Sequence, residues 1–556
     1  MLMLFLQKIF KEDSANTSYI NRESAFCLFI ILLACIKQLY GVQHHLDLPF
    51  FDESMYLKKG MFMQEHAYND WGPSYNLWYF ILSKFTKNGV QTFYLNYCLL
   101  TTLIPLLLFI LLVRFGIKNA VALVFCLSFL MQPILVNNFT YVSHFCLLII
   151  LTAFIILSYV KENQTKIIIA FTAAYICTYA RQEFLLIAAT LLLLWIMLVI
   201  YERKLKLSAA YIGLVVSVFG LYLIFGFISF KALGIDRSYF AFIQHFYVNY
   251  AVWNKKLYTI EEFKKLDIFH GSKTMFQCLL ANPGIFIKHM LTNVLGYFLQ
   301  TYKHLENFIL PQPIFHYLGK GKHILFLSFI IYFFFLLFKR KTYKNIIEFV
   351  QHHRFTSLLI AIFFVWSFFS IIFIFPEKHY IIMQFGWLIL IFAIILRNHL
   401  GWLNKSMILL GIVIVLLIFT PTSSNIGYFH NMVIDARKQP NLKTVNYLTS
   451  NNPKTELNIF TTEQTFEAYL PNNYHDDFID LDSLKPYTKD GNIDIEQYFM
   501  DKKISIIFMN EKMQFLIKET LSETGKTLLY NPEKIGFRKQ IIDRDLNAYL
   551  LIKIDK

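Results

Sequence analysis

Apolar residues fall in this chain into about eleven blocks, at 24–42, 92–113, 119–136, 142–160, 166–180, 184–200, 208–230, 323–338, 355–375, 381–396 and 405–420. A helix needs about 20 predominantly apolar residues to cross the hydrocarbon core of a bilayer, and these blocks reach or approach that length. The pattern predicts a polytopic α-helical membrane protein with about eleven transmembrane helices.

The polar breaks between blocks alternate in kind. Arg114 and Lys118, Lys161 and Lys166, Arg203 with Lys204 and Lys206, Lys339 through Arg340 and Lys341 to Lys344, and Arg397 with Lys405 fall on every second loop. Basic residues are retained on the cytoplasmic side of a membrane, so these loops are expected to be cytoplasmic. The segment before the first block has no cleavage-site pattern and precedes a full-length span, so it reads as a short cytoplasmic start. The other set then faces outward: 43–91, 132–141, 179–183, 231–322, 376–380 and everything after 421.

Two of the outward segments carry helical patterns of their own. In 43–91, Met55, Tyr56, Met61 and Phe62, then Leu77, Trp78, Phe80 and Ile81, give apolar faces at helical spacing, which predicts two short interfacial helices, the first over 53–66. In 231–322, Asn282-Pro283 is a helix-opening pair and predicts a further interfacial helix over 283–302. After Thr420-Pro421 the sequence turns charged and mixed. Strand patterns at 456–462, 504–510 and 548–554 alternate with helical stretches near 438–450, 463–470 and 511–523. The expected organisation is a membrane module over 1–420 and a soluble α/β domain over 421–556, the latter of ordinary small-domain size.

Composition agrees with the pattern. The chain is 56% hydrophobic and 16% charged, against roughly 45–50% and 25% in soluble proteins. The net charge of +15 would raise nucleic-acid binding in a soluble protein. Here the basic residues sit in short loops between apolar blocks, where they set topology, so no nucleic-acid partner is expected. The seven cysteines fall almost wholly within apolar blocks, behave as small buried hydrophobes and show no disulfide or metal spacing. The Asn-x-Ser/Thr matches at Asn16, Asn138 and Asn163 carry no weight on their own.

Candidate chemistry gathers on the outward face. The 43–91 loop holds Asp52 and Glu53, then Glu65, His66 and Asp70, ahead of an aromatic Trp71-Gly72-Pro73 turn. Asp52 suits the N-cap of the 53–66 helix. An ionised carboxylate at the mouth of a membrane cavity also suits proton abstraction from an attacking hydroxyl, and the two roles are compatible. Arg181, within Tyr179-Ala180-Arg181-Gln182-Glu183, reads either as half of an interfacial ion pair with Glu183 or as a phosphate ligand, since a guanidinium matches phosphate oxygens with two parallel hydrogen bonds. Lys378, His379 and Tyr380 form a cationic, aromatic outward turn, against the usual charge rule, and are candidates for an anionic headgroup. The isolated His144, His245 and His289 read as ordinary interfacial residues.

The acidic pair Asp52-Glu53, the stretch DWGPSYNLWYFILSKF (70–85), YARQEFLL (179–186), EKHYIIMQFGWLIL (377–390) and a soluble C-terminal domain together resemble the GT-C superfamily of integral membrane glycosyltransferases, in the protein O-mannosyltransferase and aminoarabinose transferase branch. The resemblance implies a polyprenyl-phosphate-linked sugar donor, an acceptor protein, lipid or glycan, inverting transfer and a first-loop aspartate as general base, which maps onto Asp52. It also raises a divalent metal ion as a possible cofactor. The next outer loop, 132–141, lacks the second acidic residue that members often carry there, leaving Glu53, Glu65 or Asp70 to substitute. The Lys-, Ile-, Phe- and Asn-rich composition points to a bacterial cell membrane with a periplasmic active site. The competing class is a transporter or flippase of a lipid-linked envelope precursor, which calls for ionisable residues or Gly/Pro breaks at mid-membrane. The apolar blocks here have essentially none.

Overall fold

A computed structural model of the protein describes residues 21–42, 52–64, 67–132, 141–232, 235–256, 263, 265–315, 318–397, 399–400, 406–420, 422, 441–451, 457–462, 474–478, 487–489, 492–493, 495–520, 523–543 and 547–554. By backbone contact they divide into two compact units, Met1–Tyr40 with Glu65–Leu77 and Tyr97–Thr422, and Gly41–Gln64 with Trp78–Asn96 and Ser423–Lys556.

Each predicted apolar block carries a helix: Arg22–Leu39, Gly89–Arg114, Asn119–Leu130, Val142–Leu157, Asn163–Ala180, Phe184–Glu202, Ala209–Phe225, Gly321–Leu337, Arg354–Phe373, Lys378–Leu396 and Ser406–Phe419. Three of them, Gly89–Arg114, Phe184–Glu202 and Arg354–Phe373, are individually long and apolar enough to cross a membrane. Several others stop short of their apolar block for local reasons. The 208–230 block breaks at Gly226, which takes a left-handed φ of +71° and closes the helix by donating to the Tyr222 carbonyl at 2.7 Å. The 119–136 block leaves the helix at Met131, two residues before Pro133, where the residue preceding a proline is pushed out of helical geometry.

Burial separates inner helices from outer ones. In Asn119–Leu130 every residue but Asn119 and Val124 is buried. Ala209–Phe225 buries only Leu221 and Phe225 and exposes Ile212, Val215, Val216, Phe219 and Leu223. Gly321–Leu337 likewise exposes Ile324, Leu327, Ile331, Phe334 and Phe335. Contiguous apolar faces of that extent are not sustained against water, and a lipid surround covers them. Between the inner helices the core is aromatic: Phe154 packs edge-on to Trp387 at 4.8 Å and to Phe363 at 5.6 Å.

Side-chain contacts sort the helix ends into the two faces that the Lys/Arg alternation predicts. At one face Arg114 donates to the Ser158 hydroxyl and carbonyl, at 3.2 and 3.0 Å, capping the end of Val142–Leu157. There too Gln164 meets Glu202 at 2.8 Å. At the other face the Tyr179 hydroxyl donates to the Gly226 carbonyl at 2.9 Å. Lys37 donates to the Leu417 and Ile418 carbonyls, each at 2.7 Å, so the first and last apolar helices end side by side. That pairing needs an odd number of crossings between them.

The 231–322 segment has its own aromatic core, in which Phe242, Phe246, Phe269, Cys278 and Phe286 are buried. Helix Arg237–Asn254 contributes the first two. The predicted 283–302 helix runs over Pro283–Ile309, opened as expected by Asn282, whose side chain accepts from the Ile285 amide. It lies along Arg354–Phe373, with Tyr297 edge-on to Phe368 at 5.0 Å.

In the second unit the predicted 53–66 helix is shorter, Asp52–Met61. A five-stranded mixed sheet follows the order Tyr474–Phe478, Leu457–Thr461, Ile506–Met509, Ala548–Lys553, Phe537–Asp543, the first three parallel and the last two antiparallel. Helices Ile495–Asp501, Glu511–Thr520 and Glu523–Tyr530 accompany it, and Phe460, Tyr498, Ile507, Met513, Leu528 and Leu551 are among its buried core. This is the α/β composition expected for the C-terminal region. The 463–470 helix lies outside the described residues.

Lys161 and Asn451 are both exposed, while six of the seven cysteines are buried. With so little background, a membrane-impermeant thiol reagent applied to intact cells is expected to label a cysteine placed at Asn451 and to spare one at Lys161. Labelling of Lys161→Cys alone would invert the topology.

Candidate functional site

Arg181 lies between two helices, Asn163–Ala180 and Phe184–Glu202, in extended backbone (φ −145°, ψ 119°). Its guanidinium is engaged on three sides. Nη1 donates to Ser143 Oγ at 2.7 Å, Nε pairs with Glu183, and the group stacks over the Tyr380 ring at 4.3 Å from its centroid. Ser143 opens helix Val142–Leu157, and Tyr380 lies in the first turn of Lys378–Leu396. Three segments far apart in sequence thus converge on one cation.

Around that cation is a small cleft lined by polar Ser143, Arg181, Glu183, Ser367, Ser370 and Tyr380 and by apolar Phe184, Ile187, Ile371 and Met383. The start of Lys378–Leu396 has no side-chain cap from Glu377, and a helix N-terminus carries partial positive charge. The predicted 376–380 turn is in fact shorter than expected. Helix begins at Lys378, so Lys378, His379 and Tyr380 form its first turn; the side chains of Lys378 and His379 lie outside the described residues.

The turn that delivers Tyr380 is held from Arg237–Asn254 and Pro283–Ile309. His245 stacks parallel on Phe375 at 5.0 Å and stands edge-on to Tyr380 at 6.2 Å. Burial, then neighbouring His289 and Arg181, push its pKa down to about 4, so it is neutral at physiological pH. His289 is fully buried. Asn249 Nδ2 donates to its Nδ1 at 3.0 Å, and its Nε2 lies 3.2 Å from the Ile374 carbonyl. An amide N–H facing Nδ1 requires an acceptor there, which in a neutral ring leaves the proton on Nε2, between the Ile374 carbonyl and the Asn293 amide nitrogen 3.0 Å away. Burial again lowers the pKa, to about 4.

The first outer loop enters the same unit through 67–77. Asp70 lies in a bend before Gly72, which at φ +61° turns the chain into helix Pro73–Ser83. Arg237 sits over the Trp71 ring at 5.2 Å, and Tyr75 packs on Phe145 at 5.3 Å, two residues from Ser143. In the other unit Glu53 is 1% exposed and accepts from the Tyr79 hydroxyl. Asn96 donates to that hydroxyl at 2.9 Å and accepts from Trp78 Nε1 at 2.7 Å. The Glu53 carboxylate is thus enclosed by its neighbours. Asp52 was expected as the N-cap and is instead the first residue of helix Asp52–Met61, one position further in; its side chain is not described. Glu65 and His66 lie outside the described residues. Among the described residues no three His, Cys, Asp or Glu side chains gather as a metal-ligand set.

Sequence reasoning singled out Arg181 and Tyr380 but missed Ser143, Ser367, Ser370 and His245. Serines within apolar helices give no signal without a neighbour to face, and a lone histidine such as His245 reads in sequence as an ordinary interfacial residue.

No family model and no curated protein matches the chain. Among solved structures, the crystal structure of ArnT from Cupriavidus metallidurans in the apo state is similar, with 13% identity, 97% of this chain and 98% of that chain covered, and a TM-score of 0.36. A similarity at that level leaves function to be argued from the residues.

One consequence is measurable without any ligand. His289 stays neutral in the fold down to about pH 4, whereas in the unfolded chain it takes up a proton near 6.5. The unfolded state therefore binds more protons in that window. The stability due to the neutral ring is complete above pH 6.5 and is lost as pH falls toward 4, a loss of the order of 3 kcal/mol. Between pH 6.5 and 4.5 the thermal midpoint of the purified protein is expected to fall more steeply than that of His289→Gln; equal slopes would remove His289 as the cause.

Proposed function

We propose that this protein is an integral membrane glycosyltransferase that moves a sugar from a polyprenyl-phosphate donor to an acceptor hydroxyl at the outward face, with inversion at the sugar. The observation that carries the reading is the mixed lining of the cleft at Arg181. An anionic head joined to a long hydrocarbon tail suits a site where a cation and hydroxyls neighbour Phe184, Ile187, Ile371 and Met383. The GT-C resemblance of the sequence points to the same class of donor.

The chemistry follows from the leaving group. As the bond from the sugar anomeric carbon to the phosphate oxygen breaks, negative charge builds on a phosphate that is already a stable anion. The site then needs fixed positive charge and donors more than it needs an acid. Arg181 supplies two N–H edges, Ser143, Ser367 and Ser370 supply hydroxyls, and the uncapped start of Lys378–Leu396 supplies backbone N–H groups; Lys378 and His379 are assigned as further phosphate ligands. Glu183 holds the guanidinium in place before the donor arrives and yields its share of the N–H groups to the phosphate. The acceptor oxygen forms the new bond to the anomeric carbon while its proton passes to a carboxylate, the role that the GT-C resemblance assigns to Asp52. Glu53, tied into the Tyr79–Asn96 network, keeps Asp52 at the helix start. Asp70, Glu65 and His66 remain reserve candidates for acceptor handling. The C-terminal α/β domain is assigned to the acceptor side, and the setting to a bacterial inner membrane with a periplasmic site.

Two substitutions test the assignment in nanodiscs, with release of undecaprenyl phosphate from a panel of undecaprenyl-phosphate sugars read by mass spectrometry. Asp52→Asn keeps the size of the side chain while removing the proton acceptor, and is expected to lower turnover roughly 10²- to 10⁴-fold at unchanged thermal midpoint. Arg181→Lys keeps the charge but loses the paired N–H edges and the stacking on Tyr380, and is expected to lower kcat/KM by roughly tenfold or more. A wild-type protein that carries the lipid across vesicle membranes without cleaving it would replace the transferase reading with a flippase.

A further inference from the structure

The C-terminal end of helix Arg354–Phe373 carries a specific backbone problem. The Ile372 carbonyl would be satisfied in a continuing helix by the N–H four residues on, but that residue is Pro376, which has none. Side chains from two other helices solve it. Asn293 Nδ2 donates to the Ile372 carbonyl at 2.8 Å and to the Ile374 carbonyl at 3.1 Å, and His289 Nε2 reaches the same Ile374 carbonyl. Asn249, on Arg237–Asn254, ties the pair together, giving one N–H to His289 Nδ1 and one to Asn293 Oδ1 at 2.9 Å. All three side chains are buried, at 6% exposure for Asn249, 0% for His289 and 1% for Asn293.

The same turn is pressed from a second point. A Cβ added at Gly296 would come within 2.7 Å of Pro376 Cγ, so helix Pro283–Ile309 meets the proline ring with no room for a methyl group. Beyond the turn, Glu377 donates to the Phe375 carbonyl at 3.0 Å, and Tyr380 donates to the Glu377 carbonyl at 3.0 Å. The path from clasp to ring is therefore a few residues of hydrogen-bonded backbone, ending at Tyr380 under the Arg181 guanidinium.

We infer that Asn249, His289 and Asn293 are positioning residues of the anion cleft, clamping the 372–376 turn so that Tyr380 is held against Arg181. The inference rests on the reading of the cleft as a polyprenyl-phosphate site. It makes the two outward helices part of the binding apparatus without either touching the ligand. The network suits that task because its hydrogen bonds interlock across three helices, which is more directional than an apolar contact would be.

The test measures binding of farnesyl phosphate to the full-length protein in nanodiscs. His289→Gln preserves an acceptor and a donor and is expected to bind within about threefold of wild type. His289→Leu fills the space without either and is expected to bind roughly tenfold or more weakly, as is Gly296→Ala, which displaces the turn while removing no hydrogen bond. A role confined to filling the core would rank Leu level with Gln or above it. Wild-type affinity in both His289→Leu and Gly296→Ala, with Arg181→Ala weakened, would overturn the clasp and leave the cleft standing. Wild-type affinity in Arg181→Ala would instead remove the cleft reading, and the clasp with it. Should His289→Leu fail to fold, Gly296→Ala decides by the same criterion.

Discussion

A guanidinium at the rim of an apolar bundle is the constraint around which this structure is arranged. A cation taken out of water costs several kcal/mol unless its N–H groups and charge are answered locally, and Arg181 cannot shed its proton to escape that cost. Its side chain is 14% exposed. The answers come from three directions: a hydroxyl on Ser143, a carboxylate on Glu183 and the face of Tyr380. Each sits at a helix end, where the chain leaves the apolar region, so satisfying one side chain fixes the relative height of several helices.

The surrounding fold supplies the means. Short polar turns bring helix ends to the same level, and inner helices pack through aromatic contacts such as Phe154 on Trp387. The turn bearing Tyr380 begins with Pro376, which breaks a helix and orphans a carbonyl, and a buried amide–imidazole network answers that carbonyl from outside. Phe375 and His245 add a stacked pair on the turn's other side. Apolar residues then meet polar ones along a single cleft, which is the arrangement an amphiphile with an anionic head requires.

Much of the fold was legible in the sequence because a bilayer imposes a coarse and strict pattern. Eleven apolar blocks became eleven helices, and the alternation of basic loops agrees with which helix ends meet. Lengths were less legible: Gly226 and the approach to Pro133 end helices inside apolar sequence, since hydropathy does not register backbone geometry. At the site, Arg181 and Tyr380 stood out as charge and aromaticity at apolar borders. Ser367 and Ser370 did not, because a hydroxyl in an apolar helix bonds equally well to its own backbone and becomes a wall of a cleft only through its neighbours. His289 read as an isolated histidine because its two partners come from Arg237–Asn254 and from the next turn of its own helix, and its third from Ile374. Asp52 was read as the cap of a helix that in fact begins with it, and whether such a residue also takes a proton is a matter of chemistry that spacing does not decide.

The function turns on what occupies the Arg181 cleft. The most direct measurement is an experimental density map of the protein in nanodiscs prepared with undecaprenyl phosphate. The account predicts a phosphate within hydrogen-bonding distance of Arg181, Ser143 or Ser370, with the chain leaving along Phe184, Ile187, Ile371 and Met383. Lipid phosphate bound elsewhere, with Arg181 still closed on Glu183 and the cleft holding no head group, would contradict it.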